Sequence, residues 1–510
     1  SGKLTLATGG QVTGASTATA SFGSLEWTGG NLNAKVTATG SANVSGGAKT
    51  IGTGGELTVA GGTTTANAWT GAVTNQGKLN HSAGSTDIQT AFGNSGTVTA
   101  AAGTLRLSGG VSNAANAAII VEAGAQLEFA SDAILAMNSE LKGNGLARFS
   151  GGILDANGTV AIKAFDFNAG QLTGTNTFTG NLNWNGGDWN ASAPGNTTTI
   201  GDLGVLNLGN TTGHHEFNFR NILNNGTVNW ISGRIRGGNG SMFDNVNRFN
   251  DLNTGANTIE NPAAFGGTFT FTNNGRYDKT AGGTTTFAVE FTNNGALNIT
   301  AGAIVFSGVF TNNDKGSIQL GNGASAQFAS ALSFGANAPL TGTGTINAPK
   351  VTAGGLVSPG VSPGSLTLTG DLTLLGTSEL LIELAGATQS VTYDFLSVGG
   401  TAALGGATLK VSFLNGYQSS VSANDTFTVL TANGAGGLTG LFNNVSNGQR
   451  LFTIDGFGSF QVNFGASSAF TAATNSVVLS SFAPIPEPST WALMGIGAVL
   501  VLLNLRRRKA

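Results

Sequence analysis

Charge and cysteine are both scarce in this sequence. Asp, Glu, Lys and Arg make up 9% of its 510 residues, whereas they form roughly 25% of a typical soluble domain. The formal net charge of −3 provides no basic surface that would attract nucleic acid, so we expect no nucleic-acid partner. The absence of cysteine excludes disulfides, thiolate metal sites and thiol nucleophiles.

The chain is nevertheless apolar enough to fold. Hydrophobic residues account for 40% of it and glycine for 81 positions, whereas a disordered segment combines high charge with low hydrophobicity. Thr, Ser, Asn and Gly stand where charged residues usually solvate a protein surface. Because the chain has no cross-links, its stability must come from contacts between neighbouring segments.

Short motifs recur at intervals near 20 residues. Phe271-Thr-Asn-Asn-Gly275 returns at Phe291 and, with Asp in its last position, at Phe310, at spacings of 20 and 19 residues. A second motif places an aromatic residue three positions before a glycine and five positions before an apolar or aromatic residue. Three of its copies, 18 and 17 residues apart, begin at Phe149, Phe167 and Trp184.

These spacings predict an all-β fold, a right-handed parallel β-helix (β-solenoid) over residues 1–354. Equivalent apolar side chains would stack inside it, and asparagines at a repeated turn would form a hydrogen-bonded ladder. An antiparallel sandwich is the alternative, because Asn-Gly is also a strong hairpin signal. Sandwiches show turn signals about every 8 to 12 residues, which is roughly half the interval found here.

The pattern changes in the range 355–465. Two Ser-Pro-Gly triplets that end at Gly360 and Gly364, and the step Asp394-Phe-Leu, resemble the C-terminal β-helix portion of autotransporter passengers and related exported adhesins. Later short strands in this range predict an antiparallel cap that closes the exposed end of the stack. We predict that residues 466–483 form a linker to the C-terminal segment.

The segment 484–510 has three parts, namely a proline-rich start, an apolar run over 491–505 and a basic end. Fifteen helical residues rise only about 22 Å, less than the roughly 30 Å of a bilayer core, so a buried core helix is one alternative. We predict a single transmembrane helix over 491–505, because its flanks suit the two membrane interfaces and leave the body outside. The flanking residues are Trp491, Arg506, Arg507, Arg508 and Lys509.

This order of parts resembles the PEP-CTERM sorting signal of Gram-negative bacteria that make extracellular polysaccharide. The resemblance implies processing by a membrane protease-transpeptidase, exosortase, with Pro486, Glu487 and Pro488 as recognition residues and the helix as a temporary anchor. It therefore implies an exported chain, first held at the inner membrane and then placed at the cell surface or outside the cell. We expect a secretory signal to precede Ser1 in the full reading frame.

Candidate chemistry is sparse. In His214-His215-Glu216, His214 and Glu216 would share one face of a strand, and a third metal ligand would have to come from an adjacent coil. Acids and bases are otherwise thinly scattered, so we expect no metal, no cofactor and no catalytic residue. Four tryptophans are possible sugar contacts if they are exposed, and otherwise fill the interior: Trp27, Trp184, Trp189 and Trp230.

Together these features predict a structural or adhesive protein of the cell surface or extracellular matrix, with extracellular polysaccharide as its partner, and not an enzyme. The alternatives are a carbohydrate-active protein on the same scaffold, of the polysaccharide-binding or lyase type, and a passive spacer.

Overall fold

The computed structural model describes residues 2–14, 18–60, 67–209, 213–360, 363–470, 474–485, 496–497 and 499–501. The chain divides into two compact units, 1–311 and 312–510, here called the N-terminal and C-terminal units. The sequence pattern placed a boundary later, after residue 354.

The N-terminal unit is a parallel β-solenoid whose coils contribute strands to three faces. Lys78–His81 pairs in parallel with Thr97–Ala100 of the next coil, and Ser85–Ile88 pairs in the same way with Thr104–Leu107. These pairings join residues 19 positions apart, close to the repeat length read from the sequence. The predicted β-solenoid is therefore confirmed.

The strands of the N-terminal unit are grouped by face. Four long strands run from the first face into the second: Thr19–Trp27, Lys35–Val44, Glu140–Phe149 and Gly158–Phe167. The first face also contains Glu56–Val59, Lys78–His81, Thr97–Ala100, Ala118–Val121, Asn176–Phe178, Asn196–Ile200, Arg220–Asn224, Ser241–Asn245, Phe269–Asn273 and Glu290–Asn293. The second face also contains Lys3–Leu6, Asn67–Trp69, Ser85–Ile88, Thr104–Leu107, Gln126–Phe129, Asn181–Trp184, Val205–Leu208, Thr227–Trp230, Arg248–Asp251, Arg276–Lys279 and Ala296–Ile299. The third face contains Gln11–Thr13, Gly30–Asn33, Lys49–Ile51, Val73–Asn75, Phe92–Asn94, Val111–Asn113, Ala133–Leu135, Ile153–Ala156, Gln171–Thr173, His214–Glu216, Arg234–Arg236, Asn257–Glu260, Thr284–Phe287 and Ala303–Phe306.

The C-terminal unit repeats this plan and ends differently. The strand Phe310–Asn312 lies at the division between the units. Three sets of strands stack in parallel: Ser317–Leu320, Leu340–Gly342, Leu356–Pro359, Glu379–Leu384 and Thr408–Phe413; Ser325–Phe328, Thr345–Asn347, Ser365–Leu368, Phe395–Val398 and Phe427–Ala432; and Leu332–Phe334, Lys350–Ala353, Asp371–Leu374, Ala402–Ala403 and Leu438–Thr439. A 3₁₀ turn spans Tyr417–Ser419.

An antiparallel cap closes the second of these sets, as the sequence predicts. Phe427–Ala432 pairs with Ser476–Pro484, which pairs with Gly458–Phe464, which pairs with Arg450–Phe452, each time antiparallel. Most of Ser476–Pro484 falls within the range 466–483 that was predicted as a linker. That part of the chain is instead an internal strand of the cap.

The repeated residues stack inside the N-terminal unit. The aromatic rings of Phe271 and Phe291 are both fully buried and lie parallel, with their centroids 5.2 Å apart. The predicted asparagine ladder is present, because Asn245 Nδ2 donates to Asn273 Oδ1 at 2.8 Å and Asn273 Nδ2 donates to Asn293 Oδ1 at 2.9 Å. Each coil thus places the same side chain over its neighbour, and the sequence repeat follows from that stacking.

The predicted transmembrane helix is wrong. Among the described residues, none belongs to a helix that is long and apolar enough to cross a membrane. Residues 496–497 and 499–501 are helical. Trp491, Arg506, Arg507, Arg508 and Lys509, which were expected to flank that helix, lie outside the described residues. The fold class is corrected to an all-β parallel solenoid with an antiparallel cap.

Candidate functional site

The four tryptophans considered as sugar contacts are all inside the solenoid. Their relative exposures are 1% for Trp27, 1% for Trp184, 0% for Trp189 and 0% for Trp230. Stacking on a sugar requires an open ring face, and these rings have none, so the sugar-contact interpretation is corrected. Their role is to fill the interior.

The aromatic motif of the sequence has a local structural cause. The indole Nε1 of Trp184 donates to the carbonyl of Gly187 at 2.9 Å, and that of Trp230 donates to the carbonyl of Gly233 at 2.7 Å. Both glycines have a positive φ, 73° and 83°, which L-residues with a Cβ adopt only at a cost. The motif therefore turns the chain between the second and third faces and satisfies the indole at the same time.

The third face is interrupted after this turn. Gln171–Thr173 is the last strand of one sheet and His214–Glu216 is the first strand of the next. Between them the intervening coil contributes Asp188, which forms an isolated parallel bridge with Gln171. Backbone hydrogen bonds still join this coil to both neighbours, among them those from Leu172 N to Asp188 O at 2.9 Å and from Trp189 N to Glu216 O at 2.7 Å.

A buried arginine fills the gap from the inside. Arg220 is fully buried, and its guanidinium donates to the carbonyls of Trp189, Gly174 and Leu172 at 2.8, 2.9 and 3.1 Å. Its Nη1 also donates to Thr198 Oγ1 at 2.9 Å. Burial lowers the pKa of Arg220 to about 10. The planar fork of donors thus supplies hydrogen bonds to carbonyls at the place where the ladder is interrupted.

In the strand His214–Glu216, which borders the same gap, successive side chains point alternately into and out of the solenoid. The imidazole of His215 points inward, is fully buried and lies edge-on to Trp184 with 4.9 Å between ring centroids. His214 and Glu216 therefore point outward, and His214 Nε2 lies 3.1 Å from Glu216 Oε1. Asp188 of the preceding coil joins them, and one ligand atom of each of the three residues lies within 4.8 Å of the others. We call Asp188, His214 and Glu216 the third-face cluster.

The third-face cluster is flanked by charged groups of both signs. Arg236 Nη1 lies 2.8 Å from Glu216 Oε1, and Arg236 Nε lies 3.7 Å from Glu260 Oε1. The pKa of Asp188 is raised, first by burial and then by the charge of Glu216, while His214 and Arg236 oppose the shift. The sequence flagged the two outward residues of 214–216, but it gave no sign that Asp188 would lie beside them.

A row of amides runs along the outer side of the second face. Asn207 Nδ2 donates to Asn183 Oδ1 at 2.8 Å, Asn229 Nδ2 to Asn207 Oδ1 at 2.9 Å, and Asn250 Nδ2 to Asn229 Oδ1 at 2.8 Å. All four side chains are half-buried. We call Asn183, Asn207, Asn229 and Asn250 the amide row. Because the strands pair in register, the same outward position recurs in four successive coils.

Two surface depressions were considered as possible ligand-binding or catalytic sites. A depression of about 340 Å³ is lined by Glu140 and Lys142 among others, and these two side chains pair with each other at 2.5 Å. Another of about 350 Å³ is lined by Val73, Phe92, Val111 and neighbouring small residues. General acid–base catalysis requires titratable groups aimed at a bound substrate, and in the first depression the acid and the base are already paired.

The C-terminal segment begins directly at the cap. The last strand ends at Pro484, and Ile485 N donates to the carbonyl of Phe457 at 3.0 Å. Pro486, Glu487 and Pro488 lie outside the described residues. Pro484 and Ile485, the first two residues of this segment, are therefore held by the cap.

Comparison with known proteins identifies this segment. Residues 484–509 match the family model described as the PEP-CTERM protein-sorting motif, as the sequence pattern predicts. No curated protein matches the chain. The chain therefore carries a PEP-CTERM sorting motif, which implies export and processing by an exosortase.

Proposed function

We propose that this exported chain, sorted through its PEP-CTERM motif, is a structural or adhesive protein of the cell surface or extracellular matrix that binds polysaccharide and performs no catalysis. The observation that supports the binding role is the amide row. It presents one polar group at the same outward position in four successive coils of the solenoid.

The hydrogen bonds within the amide row leave capacity for a ligand. A primary amide offers two N–H donors and two oxygen lone pairs. In the interior of the row, Asn207 and Asn229 each use one donor and one acceptor on their neighbours. The remaining donors and lone pairs suit the hydroxyl groups of a sugar chain.

The spacing of the row suits a polymer. Neighbouring strands of a sheet lie about 4.8 Å apart, so each coil repeats the same donor and acceptor at that interval. A linear polysaccharide contacting several coils gains affinity through multivalency even when each contact is weak. The chain has a net charge of −3 and therefore does not attract an acidic polymer electrostatically. Binding through the amide row would depend on hydrogen bonds to sugar hydroxyl groups.

The test is a binding measurement with purified extracellular polysaccharide from the producing cells. We expect the double variant Asn207→Ala/Asn229→Ala to bind it several-fold more weakly than the unaltered chain. The matched control is Asn274→Ala/Asn294→Ala, which removes an exposed amide pair, joined at 2.7 Å, at the turn between the first and second faces of later coils. Circular dichroism and thermal unfolding establish that both variants are folded.

Two outcomes contradict the proposal. Equal binding by the row variant and the control would exclude the amide row as the contact surface. Release of new chain ends from the polysaccharide during incubation would instead support a carbohydrate-active protein.

A further inference from the structure

We propose that the third-face cluster, Asp188, His214 and Glu216, is a binding site for a divalent transition-metal ion of the Zn²⁺ class. The site is independent of polysaccharide binding and lies at the interruption of the third face. Its ion would join the coil of Asp188 to the strand His214–Glu216.

The backbone fixes the ligands before any ion binds. Asp188 is held against the preceding coil through its own N–H, which donates to Gly170 O at 2.9 Å, and through its carbonyl, which accepts from Leu172 N at 2.9 Å. On the other side, the N–H of the next residue, Trp189, donates to Glu216 O at 2.7 Å. Trp189 is fully buried, so the preceding side chain must point outward. The same rule sends His214 and Glu216 outward on either side of buried His215.

The donor set matches the proposed class of ion. Imidazole nitrogen and carboxylate oxygen are ordinary Zn²⁺ ligands, and three protein ligands with water in the fourth position form an open tetrahedral site. Ca²⁺ instead takes about 6 to 8 oxygen ligands, and one of these three groups is a nitrogen. The three ligand atoms lie within 4.8 Å of one another, close enough for a single ion to contact all of them after small side-chain rotations.

A neighbouring arginine orients one of the ligands, and its positive charge is partly offset by Glu260, whose Oε1 lies 3.7 Å from Arg236 Nε. Arg236 Nη1 lies 2.8 Å from Glu216 Oε1, and this ion pair orients the carboxylate. Hydrogen bonds of this kind to metal-ligating carboxylates are common and tune affinity. Arg236 is itself held over the ring of Phe265, 5.4 Å from its centroid. When the ion binds, His214 Nε2 would exchange its bond to Glu216 for the metal.

The position of the site gives the ion a structural consequence. The face is broken into two sheets between Gln171–Thr173 and His214–Glu216, and Asp188 is connected to Gln171 by an isolated bridge. A coordinated ion adds a link across this gap from the outside, opposite the hydrogen bonds that Arg220 makes from the inside. An ion that binds only the folded state raises the unfolding temperature.

The experiment uses the chain without a polyhistidine tag, stripped of metal with a chelator. We expect isothermal titration with ZnCl₂ to show one ion per chain, CaCl₂ to show no comparable binding, and Zn²⁺ to raise the unfolding temperature. His214→Ala should weaken Zn²⁺ binding by at least about 10-fold and abolish the thermal shift. The Co²⁺-substituted chain should show the visible absorption of a tetrahedral site, and His214→Ala should lose it.

The matched control is Glu140→Gln, which removes a surface carboxylate on a distant coil. It should bind Zn²⁺ as the unaltered chain does. His214 is about one-third exposed, so its truncation should not prevent folding, and Asp188→Asn provides a second variant with nearly the same shape. Unchanged Zn²⁺ binding by both His214→Ala and Asp188→Asn, or a preference for Ca²⁺, would overturn the proposal.

Discussion

Arg220 Nε donates a hydrogen bond to the carbonyl oxygen of Trp189 at 2.8 Å, across 31 residues of sequence. With its other donors, the same guanidinium reaches Gly174 and Leu172 of the coil before that. One fully buried side chain thus connects three successive coils where the third face is interrupted. In most of the N-terminal unit that connection is made by the parallel ladder.

This contact predicts a large loss of stability when the arginine is replaced. Arg220→Lys keeps the charge but cannot reach the same acceptors with a rigid fork, and Arg220→Met leaves the carbonyls unpaired. A buried polar group left unsatisfied costs about 1–3 kcal/mol, and Arg220→Met leaves three carbonyls without this donor, so we expect its free energy of unfolding to fall by at least that amount. Denaturant titration measures this loss, and the control is Arg148→Met, which removes a half-exposed arginine paired with Asp166. Equal stability of the two variants would contradict the role of Arg220.

The internal asparagine ladder gives a second prediction. Asn245→Ala deletes one rung and leaves Asn224 Nδ2 and Asn273 Oδ1 without their ladder partner. A buried polar group left unsatisfied costs about 1–3 kcal/mol, and we expect that loss in thermal or denaturant unfolding. Asn250→Ala in the half-buried amide row is the matched control and should cost less, because water can replace the missing bond.

The turn glycines give a third prediction, which separates two costs. Gly187 has a φ of 73°, and a Cβ there would lie 2.4 Å from the carbonyl oxygen of Gly170. Gly240 has a φ of 84° but open space around its Cβ position. Gly240→Ala should therefore cost only the left-handed backbone penalty of about 1–2 kcal/mol, while Gly187→Ala adds the clash and costs more. Equal unfolding free energies for the two variants would show that the close approach is relieved without cost.

The buried imidazole gives a fourth prediction, on acid stability. Burial lowers the pKa of His215 to about 4, whereas the unfolded chain has a His pKa of about 6.5. The unfolded state therefore takes up a proton first as the pH falls, so stability is lost between about pH 6.5 and 4, by up to about 1.4 kcal/mol per unit. His215→Phe should remove this part of the pH dependence. Parallel profiles for the two chains would contradict the assignment.

A buried carboxyl in the C-terminal unit gives a fifth prediction, of opposite sign. Burial raises the pKa of Asp394 to about 7, although Gly364 N and Glu383 N donate to its two oxygens. The folded state therefore holds this proton above the unfolded pKa of about 3.9. Its contribution to stability is present below about pH 4 and decreases as the pH rises towards 7.

The measurement for Asp394 is the difference in unfolding free energy between the unaltered chain and Asp394→Asn across this range. We expect the difference to change steadily from pH 4 to 7 and then level off. A difference that is constant with pH would show that the carboxyl titrates at its ordinary value.

Much of this fold could be predicted from the sequence, because each coil of a solenoid has nearly the same length and places the same residue types at equivalent positions. The spacing of the Phe-Thr-Asn-Asn motif predicted both the coil length and the internal stacks, since a coil contacts only its neighbours and equivalent residues must meet. The C-terminal sorting motif could also be predicted from the sequence, because its residues are contiguous in the chain. By contrast, an apolar run suggested a membrane span, and hydropathy alone does not decide whether a helix is long enough.

The sequence by itself determined that this chain builds a β-solenoid and carries a sorting motif at its end. Only the tertiary structure decided where single side chains meet across coils. Trp184 and Trp230 turned out to be interior residues, and Asp188 was placed beside His214 and Glu216. The physical reason is that strand alternation sends neighbouring residues to opposite sides of the sheet, while the register between coils, which local sequence does not specify, brings together residues more than twenty positions apart.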